Sequence, residues 1–246
     1  MLNNSRYRGI FFILLSALSF ACMNVCVRLS GDLPTFQKSF FRNAVALIIA
    51  VGVILKEHES FKAQSKKNWP ALLLRSAFGT LGMLCNFYCV DHLLLSDASM
   101  LNKMSPFFAV IASYFILKEK IKPVQALSLV GAFIGALFII KPSLGNLLLF
   151  PSLLGLLGGI CAGTAYTMVR KLGIQGEKGP FIVFVFSAFS CIVTAVPSIF
   201  NYAPMSSMQL ISLLGAGLSP PGVSLQLPPP TPPLLQERFP FTTTLR

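Results

Sequence analysis

The chain is predicted to be an all-α integral membrane protein, and three observations carry that prediction. Hydrophobic residues fill 54% of its 246 positions and charged residues only 11%, with a mean hydropathy of +0.71, too little polarity to clothe one water-soluble core. Apolar runs close to the ~20 residues that a helix needs to cross hydrocarbon recur along the chain, parted by short polar breaks. None shows the strict alternation over about ten residues that marks a membrane β-barrel strand.

Taken in order, the runs place seven spans: 9–27, 40–55, 70–90, 98–117, 124–140, 151–168 and 181–200. An eighth begins near Met208 and fails after Leu218. The first run is long for the apolar core of a signal peptide and no small-x-small cleavage site follows it, so it reads as a retained helix. The second and fifth are short, which implies that their edges move or that their helices stand nearly upright.

The fourth span holds the stretch LNKMSPFF at 101–108, a lysine and a proline inside an otherwise apolar run. Pro106 has no amide proton for the carbonyl of Asn102, and a membrane helix tolerates such a break only where protein or a water-filled cavity re-satisfies it. Asn102, Lys103 and the loosened turn are therefore expected to form one polar patch lining a hydrated cavity. Glycine rows mark the next two spans: Gly131 and Gly135 in the fifth, then Gly155, Gly159 and Gly163 in the sixth. Each row predicts the close approach of a neighbouring backbone.

The net charge of +12 has a membrane explanation. With the N-terminus inside, Arg6, Arg8, Lys56, Lys62, Lys66, Lys67, Lys118, Lys120, Lys122, Arg170, Lys171 and Lys178 gather on the cytoplasmic side, against Arg28, Lys38 and Lys141 opposite. The basic charge thus reads as the address of a multi-pass protein of the cell membrane, and nucleic-acid binding is a poor second.

Ionisable groups within a span cost ~2.5–3.5 kcal/mol on insertion scales and often mark a solute path. Arg42, Arg75 and Lys103 qualify, although for the two arginines snorkelling to the headgroups competes with that role. Asn24, Asn43 and Asn86 are expected to act as interhelical glue. Among the six cysteines, Cys22 with Cys26 and Cys85 with Cys89 are spaced to share helix faces. No histidine or acid joins them, so they read as small packing residues ahead of metal ligands or disulfides. His58 and His92 fall in loops, and no H-E-x-x-H, G-x-S-x-G or G-x-x-x-x-G-K-[ST] string occurs, so no enzyme, metal or cofactor is expected. Asp91 and Asp97 lie between the third and fourth spans, where a solvated turn outweighs a proton-coupling role.

A weak internal repeat links MNVCVRLSG at 23–31 with AYTMVRKLG at 165–173. Two halves of like design would need a partner for the third and fourth spans near residue 220, where the chain instead reads LSPPGVSLQLPPPTPPLLQERFPFTTTLR. Its prolines forbid a membrane helix. The tail is then either a disordered Pro-rich terminus or the product of a reading frame that slipped near Ser219. Read one base earlier, its codons permit a Gln-Phe ahead of an Ala-Arg-Glu, as Asn86 and Phe87 lead Ala98, which favours the slip. Resequencing across the Ser219 codon decides between them.

The segment SDASMLNKMSPFFAVIASYFILKEKI (96–121), with Pro106 midway, an aromatic-rich second half and Glu119 closing it, resembles the fourth helix of EamA-type transporters in the drug/metabolite transporter superfamily. RGIFFILLSALSFACMNVCVR with Asn24, FFRNAVALII with Arg42 and KPVQALSLVGAFIGALFIIKP are similar to that family's first, second and fifth helices. The resemblance implies inverted five-helix repeats, ten helices in full and about seven to eight here. It also implies two cytoplasmic termini and a central solute site worked by alternating access. Residues 9–141 would form the first repeat, 151–218 part of the second, and 219–246 the tail. Lys103 is not expected throughout the family, so no role is carried over to it.

The sequence therefore reads as a permease for a small organic metabolite. Arg42, Arg75 and Lys103 offer donors to an anionic or polar solute, while Asn24, Asn86 and Asn102 orient it. Its partners would be the solute and the lipid bilayer, with no nucleic acid and no cofactor. The contrasting reading is a truncated, non-transporting membrane polypeptide or an accessory subunit of another permease. An incomplete second repeat leaves helix faces open to a homodimeric or heteromeric association.

Overall fold

The computed structural model describes residues 5–58, 60–118, 123–140 and 149–218, and every regular element among them is helical. In chain order these are α1 (Ser5–Leu29), α2 (Thr35–Lys56), α3 (Trp69–His92), α4 (Leu95–Asn102), α5 (Ser105–Leu117), α6 (Pro123–Ile140), α7 (Leu149–Ile174), α8 (Gly179–Phe200) and α9 (Ser207–Leu218). A single 3-10 turn, Lys66–Asn68, leads into α3. The Pro-rich tail, Glu119 and Lys141 lie outside the described residues. Five described stretches are long and apolar enough to cross a membrane: α2, α3 with its leading turn, α4 with α5, α7 and α8.

Polarity runs inside out. Helix α2 buries Ser39, Arg42, Asn43, Ala46 and Ala50 on one stripe, while Ile48 on its other face is 71% exposed. Helix α8 buries Ser187, Ser190, Thr194 and Ser198 and exposes Ile192, Ile199 and Phe200. Such faces suit lipid outside and polar groups that must find partners within. Thr194 Oγ1 and Ser198 Oγ do so by donating one turn back, to the Ser190 and Thr194 carbonyls at 2.7 and 2.6 Å.

Helix edges depart from the hydropathy reading where contacts with another helix extend them. α2 starts at Thr35, upstream of the expected edge, because Lys38 is wholly buried in an ion pair with Asp91 at 2.6 Å. Asp91 is correspondingly no solvated turn residue. It lies in the last turn of α3, and Arg28, itself inside α1, donates to the Val90 and Asp91 carbonyls. α7 runs past Met168 because Val169 and Leu172 pack with Leu72 and Phe181.

The fourth span is two helices rather than one bent helix. Lys103 and Met104 separate α4 from α5, the Met104 N–H tightens onto the Leu101 carbonyl at 3.1 Å, and Pro106 falls in the first turn of α5. A proline is harmless there, since the amide it lacks would have had no helical partner. Gly155, Gly159 and Gly163 of α7 admit this broken helix: a Cβ on Gly159 would lie 3.0 Å from the Leu101 carbonyl, and one on Gly163 would strike that of Ser105. The expectation for Gly131 and Gly135 is not met among the described residues, where a Cβ on either would meet nothing within 4 Å.

The packing has an internal symmetry. α3 lies along α7, α1 along α9, α3 against α8, α2 against α9, and α2 along α8. Exchanging α1 with α7, α2 with α8 and α3 with α9 turns the first pair into the second and the third into the fourth, and leaves the fifth unchanged. Two like-built halves facing each other give this pattern. Cys85 and Cys161 sit in the α3–α7 seam beside Gly158 and Gly82, as small packing residues.

Candidate functional site

Arg42 of α2 and Arg75 of α3 point into the bundle with only 4% and 7% of their surface exposed, so neither snorkels to a headgroup. The Arg75 guanidinium lies 4.0 Å above the ring centroid of Phe186 from α8. Gly79, one turn further along α3, makes the room: a Cβ there would collide with Arg75 Nη1 and the Phe186 ring. Stacking occupies the face of a guanidinium and leaves its N–H edge for other partners. On that edge Nε and Nη1 are buried without a hydrogen-bond partner.

Arg42 is only partly satisfied. Its Nη1 donates to Asn43 Oδ1 at 2.9 Å and approaches Met83 Sδ at 3.6 Å, while its Nε has no partner. Each arginine lies within electrostatic reach of the other and of Tyr166 from α7, and neither forms an ion pair among the described residues. Tyr166 keeps 48% of its surface accessible although protein crowds around its hydroxyl.

A chain of amides approaches from the break in the fourth span. Asn102 Nδ2 donates to Asn86 Oδ1 at 2.9 Å, and Asn86 Nδ2 to Asn24 Oδ1 at 3.2 Å, joining α4, α3 and α1. It ends on Asn24 Nδ2, a buried donor with nothing to bond. Asn43 instead bonds within its own helix, to the Ser39 carbonyl at 2.8 Å, and contacts Met83 Sδ. Lys103 does not join its neighbour. Its side chain is exposed and its ammonium has no hydrogen bond among the described residues. Consecutive helical positions diverge by about 100°, so with Asn102 turned inward Lys103 faces elsewhere. The expected polar patch thus holds the amide and not the lysine.

Among the described residues, Ser39 Oγ and Ser187 Oγ are the other buried polar atoms without partners. Each such group costs about 1–3 kcal/mol, more when charged, unless water or a bound molecule satisfies it. Their concentration on the inner faces of α1, α2, α3 and α8 identifies a polar centre in an apolar molecule. Charge alone gives no signal for Tyr166 or Phe186. One signal did exist for Tyr166: the weak repeat sets it opposite Asn24.

Two polar clasps close opposite ends of the bundle. At one, the Gln37 side chain donates to the Ala203 carbonyl at 2.9 Å and accepts the Ala203 N–H at 3.0 Å, while Gln209 Nε2 donates to the Ser30 carbonyl at 3.1 Å. At the other, buried Glu177 Oε1 accepts the Gln64 N–H at 2.9 Å and Asn68 Nδ2 at 2.7 Å. Phe61 and Phe184 meet edge to face beside it, with centroids 5.5 Å apart. The helix exchange that relates the packing pairs also relates these clasps.

Comparison with known proteins is consistent along the chain. The EamA-like transporter family matches residues 7–141. A pseudopaline exporter of Pseudomonas aeruginosa is 32% identical over 194 residues, which are 78% of this chain and 66% of that protein. An uncharacterized transporter of Helicobacter pylori is 27% identical over 183 residues, covering 74% of this chain and 61% of its own length. Human solute carrier family 35 member G1 is 28% identical over 134 residues, 54% of this chain and 36% of the carrier. The chain thus spans just under two thirds of the exporter, and less of the others. One crystal structure shares the fold with a TM-score of 0.63 at 14% identity, over 89% of this chain and 77% of its own.

Proposed function

The chain belongs to the EamA-like transporter family, and from that premise we propose that it carries a small organic solute across the cell membrane by alternating access. Its moving parts are the repeats 9–141 and 151–218, with the N-terminus in the cytoplasm. The family is one of transporters, not enzymes, and no covalent step is required.

The observation that carries this reading is the pair of clasps. Gln37 with Ala203 fastens one end and Glu177 with Asn68 the other, and each joins one repeat to the other across the polar centre. Rocking of two halves about a central site opens one end while the other stays shut, which calls for separate fastenings of modest strength. Hydrogen bonds worth about 0.5–1.5 kcal/mol each have that strength. Arg42 and Arg75 supply the solute's principal donors, and Asn24, Asn86 and Asn102 set its orientation. Lys103 lies apart from these residues and takes no share in our reading.

The test is flux through the reconstituted full chain after either clasp is locked. Cysteines replacing Gln37 and Ala203 in one variant, and Asn68 and Glu177 in another, on a background without native cysteines, are bridged by a short bismaleimide. Arrest of uptake and efflux of a labelled metabolite panel is expected in both variants. Flux that survives either bridge would refute alternating access through these ends.

A further inference from the structure

Resting on the transporter reading above, we propose that the space bounded by Arg42, Arg75 and Tyr166 selects solutes that carry a carboxylate, bound along the free edges of the two guanidinium groups. Among the described residues the chain treats its other buried cation differently. Lys38 is wholly buried and has Asp91 as its counterion at 2.6 Å. Arg42 and Arg75 are as buried as a structural cation would be, yet Arg42 Nε and Arg75 Nε and Nη1 remain unpaired. Cations that merely hold helices together would have been partnered in the same way.

Charge narrows the class. Two fixed positive charges within reach of each other repel, and no carboxylate of the described chain relieves them. A neutral solute would leave both uncompensated, and a cationic one would add a third charge. An anion removes the repulsion and satisfies the orphan donors together.

Geometry narrows it again. Phe186 covers the face of Arg75 at 4.0 Å, so the group is presented edge-on; its unpaired Nη1 belongs, with Nη2, to the end-on fork that two oxygens of a planar carboxylate match, and the unpaired Nε offers a further donor. Gly79 keeps that position open, and a side chain there would push the fork aside. Tyr166, accessible and within reach of both arginines, adds a hydroxyl donor. The Phe186 ring and the Met83 thioether give the remainder of the solute soft apolar walls.

The experiment is thermal unfolding of the purified full chain in lipid nanodiscs with succinate, glutamate or citrate, set beside inorganic phosphate and choline chloride at equal ionic strength. At least one carboxylate is expected to raise the midpoint saturably, above any effect of phosphate or choline. Arg42→Gln and Arg75→Gln are expected to weaken that carboxylate about ten- to a hundredfold, with midpoints in its absence unchanged or higher. Arg75→Lys, which keeps charge without the fork, should fall between. No saturable carboxylate shift, an equal or larger shift with phosphate or choline, or glutamine variants that lose stability and keep affinity would each overturn the proposal. Flux without carboxylate preference would refute the site and spare the transporter, whereas carboxylate binding without flux would do the reverse.

Discussion

Lys38 and Asp91 face each other at 2.6 Å across the α2–α3 contact, the lysine side chain fully shielded and the aspartate 18% accessible. A buried ion pair is costly to break by halves, because the surviving charge is left without water or counterion. Asp91→Asn is therefore expected to destabilise the protein by about 3–5 kcal/mol. The double replacement Lys38→Met with Asp91→Leu should cost far less. Unfolding of the single and double variants in one detergent checks this, and additive losses would show that the pair is not coupled.

A second expectation concerns Gly79. Its missing side chain leaves the room in which Arg75 lies over Phe186. Ala is the better helix former by up to about 1 kcal/mol, so Gly79→Ala should alter stability little while displacing the guanidinium. The expected result is carboxylate affinity lowered about tenfold or more with an unfolding midpoint close to that of the parent. Unchanged affinity would mean that Arg75 reaches its place by another route.

Much of this was readable before any helix was placed. Apolar runs located every described span, since hydropathy is a property of each segment alone. Edges were lost where the reason lay in another helix: Lys38 looked like a loop charge until Asp91 was beside it. Pro106 signalled the break in the fourth span correctly, but not that it would open a new helix or that Lys103 would turn from Asn102. Arg42 and Arg75 stood out as charges in lipid-length runs, whereas Tyr166, Phe186 and Gly79 gain meaning only when α3, α7 and α8 meet. The glycine rows show the same limit, for identical spacing packs tightly in α7 and not in α6.

That contrast gives a third expectation. A Cβ at Gly163 would press on the Ser105 carbonyl and Phe108 of α5, backbone and side chain that cannot both withdraw. Gly163→Val should destabilise by about 1–3 kcal/mol through overpacking. Gly131→Ala, with nothing within 4 Å among the described residues, should be neutral or stabilising by up to about 1 kcal/mol. Paired unfolding measurements decide it, and equal effects at the two sites would contradict the packing described.

The clasps give the last expectation, and its strength is that the two ends must answer in opposite senses. Glu177→Ala leaves the Gln64 N–H and Asn68 Nδ2 without their shared acceptor, an imbalance of about 1–3 kcal/mol against the state in which that end is shut. Gln37→Ala strips both Ala203 bonds from the other end. In a two-state equilibrium each change favours the conformation whose broken clasp it imitates, and 1.4 kcal/mol shifts the populations by about tenfold. With a cysteine at Tyr166 on a background without native cysteines, a membrane-impermeant maleimide reports which end is open. Glu177→Ala should speed labelling from the cytoplasmic side and slow it from the other, and Gln37→Ala should reverse both. Glu177→Gln, which keeps an acceptor oxygen, should resemble the parent. Shifts of the same sign in both alanine variants would show the clasps to be structural ties, because ties that only hold the fold loosen both ends together.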